Sequence, residues 1–179
     1  MKSTPTQYGH VAIALHWAIA LLMAVALVSG FAADRVGAQA HGALRAHAIS
    51  GGLAGLLTLI RIGWWWLADT KPDAAPNSEG IKGVVARLTH ALLIIVPLGM
   101  AASGIGMLVL TGAGAQLFGG VPGTLPEFEL VAPRTPHGIA ARVLIALTAL
   151  HIGAAVYHQA VLRDGLMGRL AWGRTTRAA

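Results

Sequence analysis

The sequence predicts an all-α integral membrane protein, a four-helix bundle, and three observations carry that prediction. Hydrophobic residues make up 55% of the 179-residue chain and charged residues only 11%. The mean hydropathy is +0.66, well outside the mix of a soluble domain. Four apolar runs are each long enough to cross a hydrocarbon core of ~30 Å, which takes about 20 residues. Finally, the basic residues flank those runs instead of gathering on one soluble face. The formal charge of +6 therefore reads as membrane topology and not as a nucleic-acid surface.

Taken in order, the first span covers about residues 11–33 and holds no charged residue until its edge. It is too long for the core of a cleaved signal and is kept as a span. The second, 46–67, carries Arg61 near its end, and the third, 84–110, has Arg87 in its first turn and Pro97 at mid-depth. The fourth, 137–162, contains Arg142. With short connections between spans, residues 1–179 are expected to form a single domain. The connection 111–136 holds Pro122, Pro126, Pro133 and Pro136 among several glycines, which predicts an ordered, lid-like loop.

Lysine and arginine set the orientation. Lys2, Arg61, Lys71, Lys82, Arg87, Arg163, Arg169, Arg174 and Arg177 fall on the side of the termini and the second connection. Arg35, Arg45 and Arg134 face them from the other side, so the positive-inside rule puts both termini in the cytoplasm. Trp64, Trp65, Trp66 and Trp172 fit an interfacial aromatic belt on that side.

The chemistry lies in the histidines. There is no cysteine, which excludes disulfides, thiolate-held Fe–S clusters and thioether-attached haem. His137 and His151 are fourteen residues apart, about 21 Å along one helix and within about 40° of the same direction. One helix thus offers an imidazole to each leaflet, which suits two cofactors stacked across a bilayer, with haem the obvious candidate. Sorted by depth, His47 pairs with His137 in the outer leaflet and His16 with His151 in the inner. Intramembrane ionisable groups are costly and usually functional. One lone histidine would pass as a helix–helix hydrogen bond; two matched pairs argue for ligation. The residues four positions on are Ala20, Gly51, Ala141 and Ala155, small enough for a haem plane to approach, whereas Ile94 and Leu162 follow His90 and His158. His90 competes for the inner site, and His158 could replace His16, bond a propionate or line a quinone or proton path. His10 and His41 read as surface residues. Arg61 repeats the fourteen-residue interval from His47, so it should point at the inner cofactor and pair with a propionate; snorkelling is the plainer reading. Arg142, in the membrane, is expected to meet an outer propionate or line a polar opening.

These residues resemble the bacterial cytochrome b-561 family of four-helix di-haem membrane proteins, related to the cytochrome b subunits of hydrogenases. The matching stretches are Ala14-Leu15-His16-Trp17, His47-Ala48-Ile49-Ser50-Gly51 followed by Arg61, His90 through Pro97, and His137, Leu150-His151, His158 and Arg163-Asp164-Gly165. The likeness spans nearly the whole chain and departs at Tyr157-His158-Gln159 and at Arg142. It implies two non-covalent, bis-histidine haems b on His16, His47, His137 and His151. It also implies a bacterial inner-membrane location and electron transfer between the outer face and the quinone pool. Some members oxidise periplasmic superoxide and reduce ubiquinone. Arg134 and Arg142, with Arg35 and Arg45, could steer that anion, set against Asp34, Glu127 and Glu129. The alternatives are an electron-transfer subunit serving a dehydrogenase or c-type cytochrome, and a non-redox proton or metal conduit. The absence of intramembrane carboxylates argues against the conduit.

Overall fold

A computed structural model describes residues 2–74 and 79–172. Four long helices dominate it: α1 (His10–Val36), α2 (His41–Leu67), α3 (Gly80–Thr111) and, after the short α4 (Ala113–Phe118), α5 (Arg134–Tyr157). All four long helices are apolar enough to cross a membrane, the last counted through Leu162. They contain the spans expected from the sequence and overrun most of them by several residues. Hydropathy marks where lipid begins, whereas backbone hydrogen bonding continues until a residue breaks it.

Those breaks are chemical. The α3 helix ends on Gly112, whose φ of 68° is left-handed and cheap only without a Cβ. The α5 helix starts earlier than His137 because Pro133 leads it and Pro136 sits in its first turn, where a missing N–H costs nothing. Pro97, buried inside α3, removes the hydrogen bond to the carbonyl of Leu93. Beyond Tyr157, the helix widens into a π-helical turn, His158–Leu162, and stops at Arg163 with a φ of 52°.

The α1 helix packs along α2 and α3 along α5, with α2 and α3 joining the two pairs. Small residues let them close: a Cβ on Gly55 would lie 2.7 Å from Cβ of Ala101. Little of the bundle is buried within the chain, and large side chains such as Leu21, Val28, Leu59, Ile95, Val109 and Ile152 point outward. In water this would be an unstable surface; in a bilayer it is the lipid-facing coat.

The two ends are built differently. At the loop end, residues 112–133 fold back as an anchored lid, as expected. Leu117 and Leu125 pack with Ala33 and Ala40. The Leu125 amide donates to the Ala38 carbonyl at 3.0 Å, and His41 Nε2 donates to the Gly123 carbonyl at 3.0 Å. At the opposite, terminal end, residues 2–9 form a strap. Buried Asp69 accepts hydrogen bonds from Ser3 N at 2.9 Å, Ser3 Oγ at 2.8 Å, Trp64 Nε1 at 3.2 Å and Thr70 N at 3.0 Å. Burial works against that carboxylate, but these donors outweigh it and hold its pKa below the ordinary value. The Tyr8 amide donates to the Arg169 carbonyl, and the Asp73 amide to that of Pro5. Residues 2–9, the start of the α2–α3 link and the segment around Arg169 therefore share one end. Arg174 and Arg177 lie outside the described residues.

Candidate haem-binding sites

The α5 helix runs unbroken from His137 to His151, so the fourteen-residue interval is a helical one. Each imidazole meets a partner from another helix. The rings of His47 (α2) and His137 are 5.8 Å apart between centroids, at 72°. Those of His16 (α1) and His151 are 6.3 Å apart, at 66°. Two imidazoles bound to one metal at ~2 Å each place their ring centroids roughly 6 Å apart. Both pairs fit an iron between them.

The loop-end pair is also set in the right tautomer. His47 Nδ1 lies 2.7 Å from the Ala26 carbonyl, which can only accept, so Nδ1 carries the proton and Nε2 is free to ligate. His137 Nδ1 lies 2.8 Å from Ser103 Oγ. That hydroxyl donates to the Met100 carbonyl at 3.0 Å, so it accepts from His137 and again leaves Nε2 free. Two residues that sequence reasoning passed over hold this pair. One is Ser103; the other is Gly30, where a Cβ would sit 2.7 Å from His47 Nδ1. A histidine facing a serine or a glycine on another helix has no sequence signal without knowledge of the packing.

The terminal-end cluster holds three imidazoles. His90 of α3 lies 5.3 Å from His151, closer than His16 does. With α3 beginning at Gly80, His90 is ten residues into its helix. His158 is elsewhere: Nδ1 donates to Asp164 Oδ2 at 2.5 Å beyond the end of α5. That bond, first among several, holds the Asp164 carboxyl below the usual range. His10 packs against Trp172 at the terminal end.

The arginines differ from one another. Arg61 lies under Trp65, its guanidinium carbon 4.6 Å from the ring centroid, with a buried Nε that meets no acceptor among the described residues. It is close enough to act electrostatically on His16, His90 and His151. An unsatisfied buried donor costs about 1–3 kcal/mol, and a carboxylate from a cofactor at this cluster would remove that cost. Arg142 lies one turn beyond Gly138 on α5. Its side chain is exposed and turns back along α5 to donate to the Gly138 carbonyl at 3.1 Å, the reach of a long side chain seeking the interface. Arg134 is not a free cation: it bridges Asp34 at 2.7 Å and Glu129 at 2.9 Å. Even so, Nη1 of Arg134 and Nη1 of Arg142 converge on Gly138, 3.2 and 3.8 Å from where a Cβ would be. Gly51 points its missing Cβ at Ala26 of α1, 3.9 Å away, and so serves the α1–α2 contact.

The prokaryotic cytochrome b561 family model matches residues 7–173. This chain belongs to the prokaryotic cytochrome b561 family. A curated relative, cytochrome b562 of Cereibacter sphaeroides, is 27% identical over 175 residues, covering 91% of this chain and 94% of its own. The cytochrome b561 assignment makes this a multi-pass membrane protein of haem-b electron transfer, and the facing imidazoles suit that cofactor.

Proposed function

We propose that this cytochrome carries electrons across the bacterial inner membrane, oxidising superoxide at the loop end and reducing ubiquinone. In this reading the termini are cytoplasmic, and two haems b are bound, one by His47 with His137 and one by His16 with His151. The observation that carries it is the pair of imidazole sandwiches, 5.8 and 6.3 Å wide, strung along α5. Haem b held by these histidines would supply a one-electron iron couple. For each ubiquinone reduced, two superoxide anions lose one electron each to give dioxygen, and ubiquinone takes both electrons with two protons to give the quinol.

The chain's own groups have separate tasks. Ala26 and Ser103 orient the outer imidazoles and keep Nε2 unprotonated. Arg142, which meets no carboxylate among the described residues, is the cation that draws a small anion to the outer site. Arg134 fixes the lid to α1 through Asp34 and adds its remaining Nη1 at Gly138. Arg61 neutralises an inner propionate. Gly51 assists indirectly, by admitting α1 against the His47 turn.

One observation favours a second reading, an electron-transfer subunit serving a dehydrogenase or c-type cytochrome. Asp34 and Glu129 offset the charge of Arg134 and weaken the outer positive field. Rapid mixing separates the two. Superoxide should reduce the haems faster than it dismutates, with a rate that falls as salt shortens the Debye length from about 8 Å at 0.15 M. Slow, salt-independent reduction by superoxide alongside rapid reduction by a quinol would leave the subunit reading in place.

A further inference from the structure

The two facing imidazole pairs share one arrangement of walls. His16 on α1 and His47 on α2 face His151 and His137 on α5. The α3 helix closes one flank of both: His90 lies 5.3 Å from the His151 ring, and Ser103 Oγ is 2.8 Å from His137 Nδ1. On that side α2 and α3 are packed too closely for a Cβ at Gly55, which would meet Cβ of Ala101 at 2.7 Å. The other flank, between α1 and α5, has no such wall. The α5 helix packs along α3 and hardly touches α1, and of its described residues only Leu144 is buried.

Both ends of the bundle are capped. The lid is anchored by Leu117 and Leu125 against Ala33 and Ala40, and by the Leu125 amide on the Ala38 carbonyl. The strap is pinned by Ser3 on Asp69 and by the Asp73 amide on the Pro5 carbonyl. Across the α1–α5 seam, the polar ties among the described residues sit at its two extremities. At the loop end Arg134 bridges Asp34 at 2.7 Å. At the terminal end Tyr8 N, Gln7 Nε2 and Trp17 Nε1 donate to the carbonyls of Arg169, Ala171 and Leu170 at 3.1, 3.3 and 3.5 Å. An exposed ion pair and single hydrogen bonds are weak ties. In a bilayer, parting two apolar helices exposes them to acyl tails as apolar as themselves. Opening this seam is therefore opposed by packing and by those ties, and not by the hydrophobic effect.

We propose that the α1–α5 seam is a lateral opening through which haem passes between the lipid and its histidine pairs, with α3 and α5 swinging away from α1 about the α2–α3 contact. The proposal rests on the two-haem reading above and adds the route. The chain has no cysteine, so paired cysteines joined by a short, cleavable dithiol linker can lock one passage at a time. The haem-loaded protein in lipid nanodiscs is mixed with excess apomyoglobin, and haem transfer is followed by absorbance. A seam lock joins Asp34→Cys to Arg134→Cys and Gln7→Cys to Ala171→Cys, two pairs at opposite ends of α1. It should hold the haem over the time in which the same variant, unlinked, releases it, and cleaving the linker should restore release. A lid lock, Ala38→Cys to Leu125→Cys, and a strap lock, Pro5→Cys to Asp73→Cys, should leave release as in the wild type. Asp34→Asn, which removes one exposed tie, should speed release about two- to fivefold. If the lid or strap lock stops release and the seam lock does not, haem leaves through an end and the proposal is overturned. Release stopped by all three locks alike, or by none, overturns it as well, leaving haem binding intact. A wild type that holds no haem b would instead bring down the reading on which the proposal rests.

Discussion

Replacing Gly30 by alanine should cost the protein its loop-end haem while leaving the helices intact. The added Cβ would lie 2.7 Å from His47 Nδ1 and 2.9 Å from Cε1, where ordinary contact begins at 3.4 Å. The ring must retreat by at least ~0.7 Å. It cannot do so freely, because Nδ1 is held by the Ala26 carbonyl at 2.7 Å. Retreat stretches that bond past about 3.2 Å, the practical limit of an N–H···O interaction. Losing an orienting contact of this kind typically lowers metal affinity 10–100-fold. Alanine is meanwhile the better helix former by about 1 kcal/mol, so a loss of haem would not reflect a weakened α1. The control is Gly104→Ala, whose Cβ would meet His137 Cε1 at an ordinary 3.6 Å. Haem per polypeptide, measured as the pyridine haemochrome after purification, should fall from two toward one in Gly30→Ala and stay at two in Gly104→Ala. Full haem in Gly30→Ala, with an unchanged low-spin ferric signal, would refute the packing argument.

Three further outcomes follow from the same geometry. Ser103→Ala removes the acceptor of His137 Nδ1–H, so loop-end haem affinity should fall about 10–100-fold, whereas Ser103→Thr should restore it; haem retention on dilution reads both. Arg61→Gln removes a cation beside the inner cluster, which favours the ferric form, so one midpoint potential should fall in a redox titration. If the pair is worth about 1 kcal/mol, the fall is roughly 40 mV for one electron; two unchanged potentials would exclude the role. Asp69→Asn should lower stability at pH 7 by about 1–3 kcal/mol through lost charge-assisted hydrogen bonds. The native Asp69 pKa lies below the ordinary value, so its contribution is complete above about pH 4 and disappears as pH falls through the native pKa. Melting curves in detergent should therefore converge for the two proteins in acid, and a constant gap would contradict this origin.

The four helices were legible because lipid imposes one simple rule on sequence, about 20 apolar residues without charge. That the ring of His47 comes to lie beside His137, and that of His16 beside His151, was legible for a related reason. Depth along a span fixes height, and helical period fixes direction, so two coordinates of each imidazole could be read in advance. The third, contact between helices, could not. It decides that His90 reaches His151, that Gly30 and Ser103 hold the loop-end imidazoles, and that Gly51 faces α1. The arginines were the least legible. Long side chains choose among partners on several elements, as Arg134 does with Asp34 and Glu129 and Arg142 with its own helix. The strap at residues 2–9 was missed because its bonds run mainly through backbone groups and the buried Asp69.

The most direct test of the central claim is haem stoichiometry with low-temperature electron paramagnetic resonance on the purified protein and its single-histidine variants. The wild type should bind two low-spin, bis-histidine haems. His47→Ala or His137→Ala should lose the loop-end signal alone, and His16→Ala or His151→Ala the terminal-end signal alone. Two haems retained in His16→Ala, with one lost in His90→Ala, would contradict the inner assignment. A single haem in the wild type would contradict the two-site account itself.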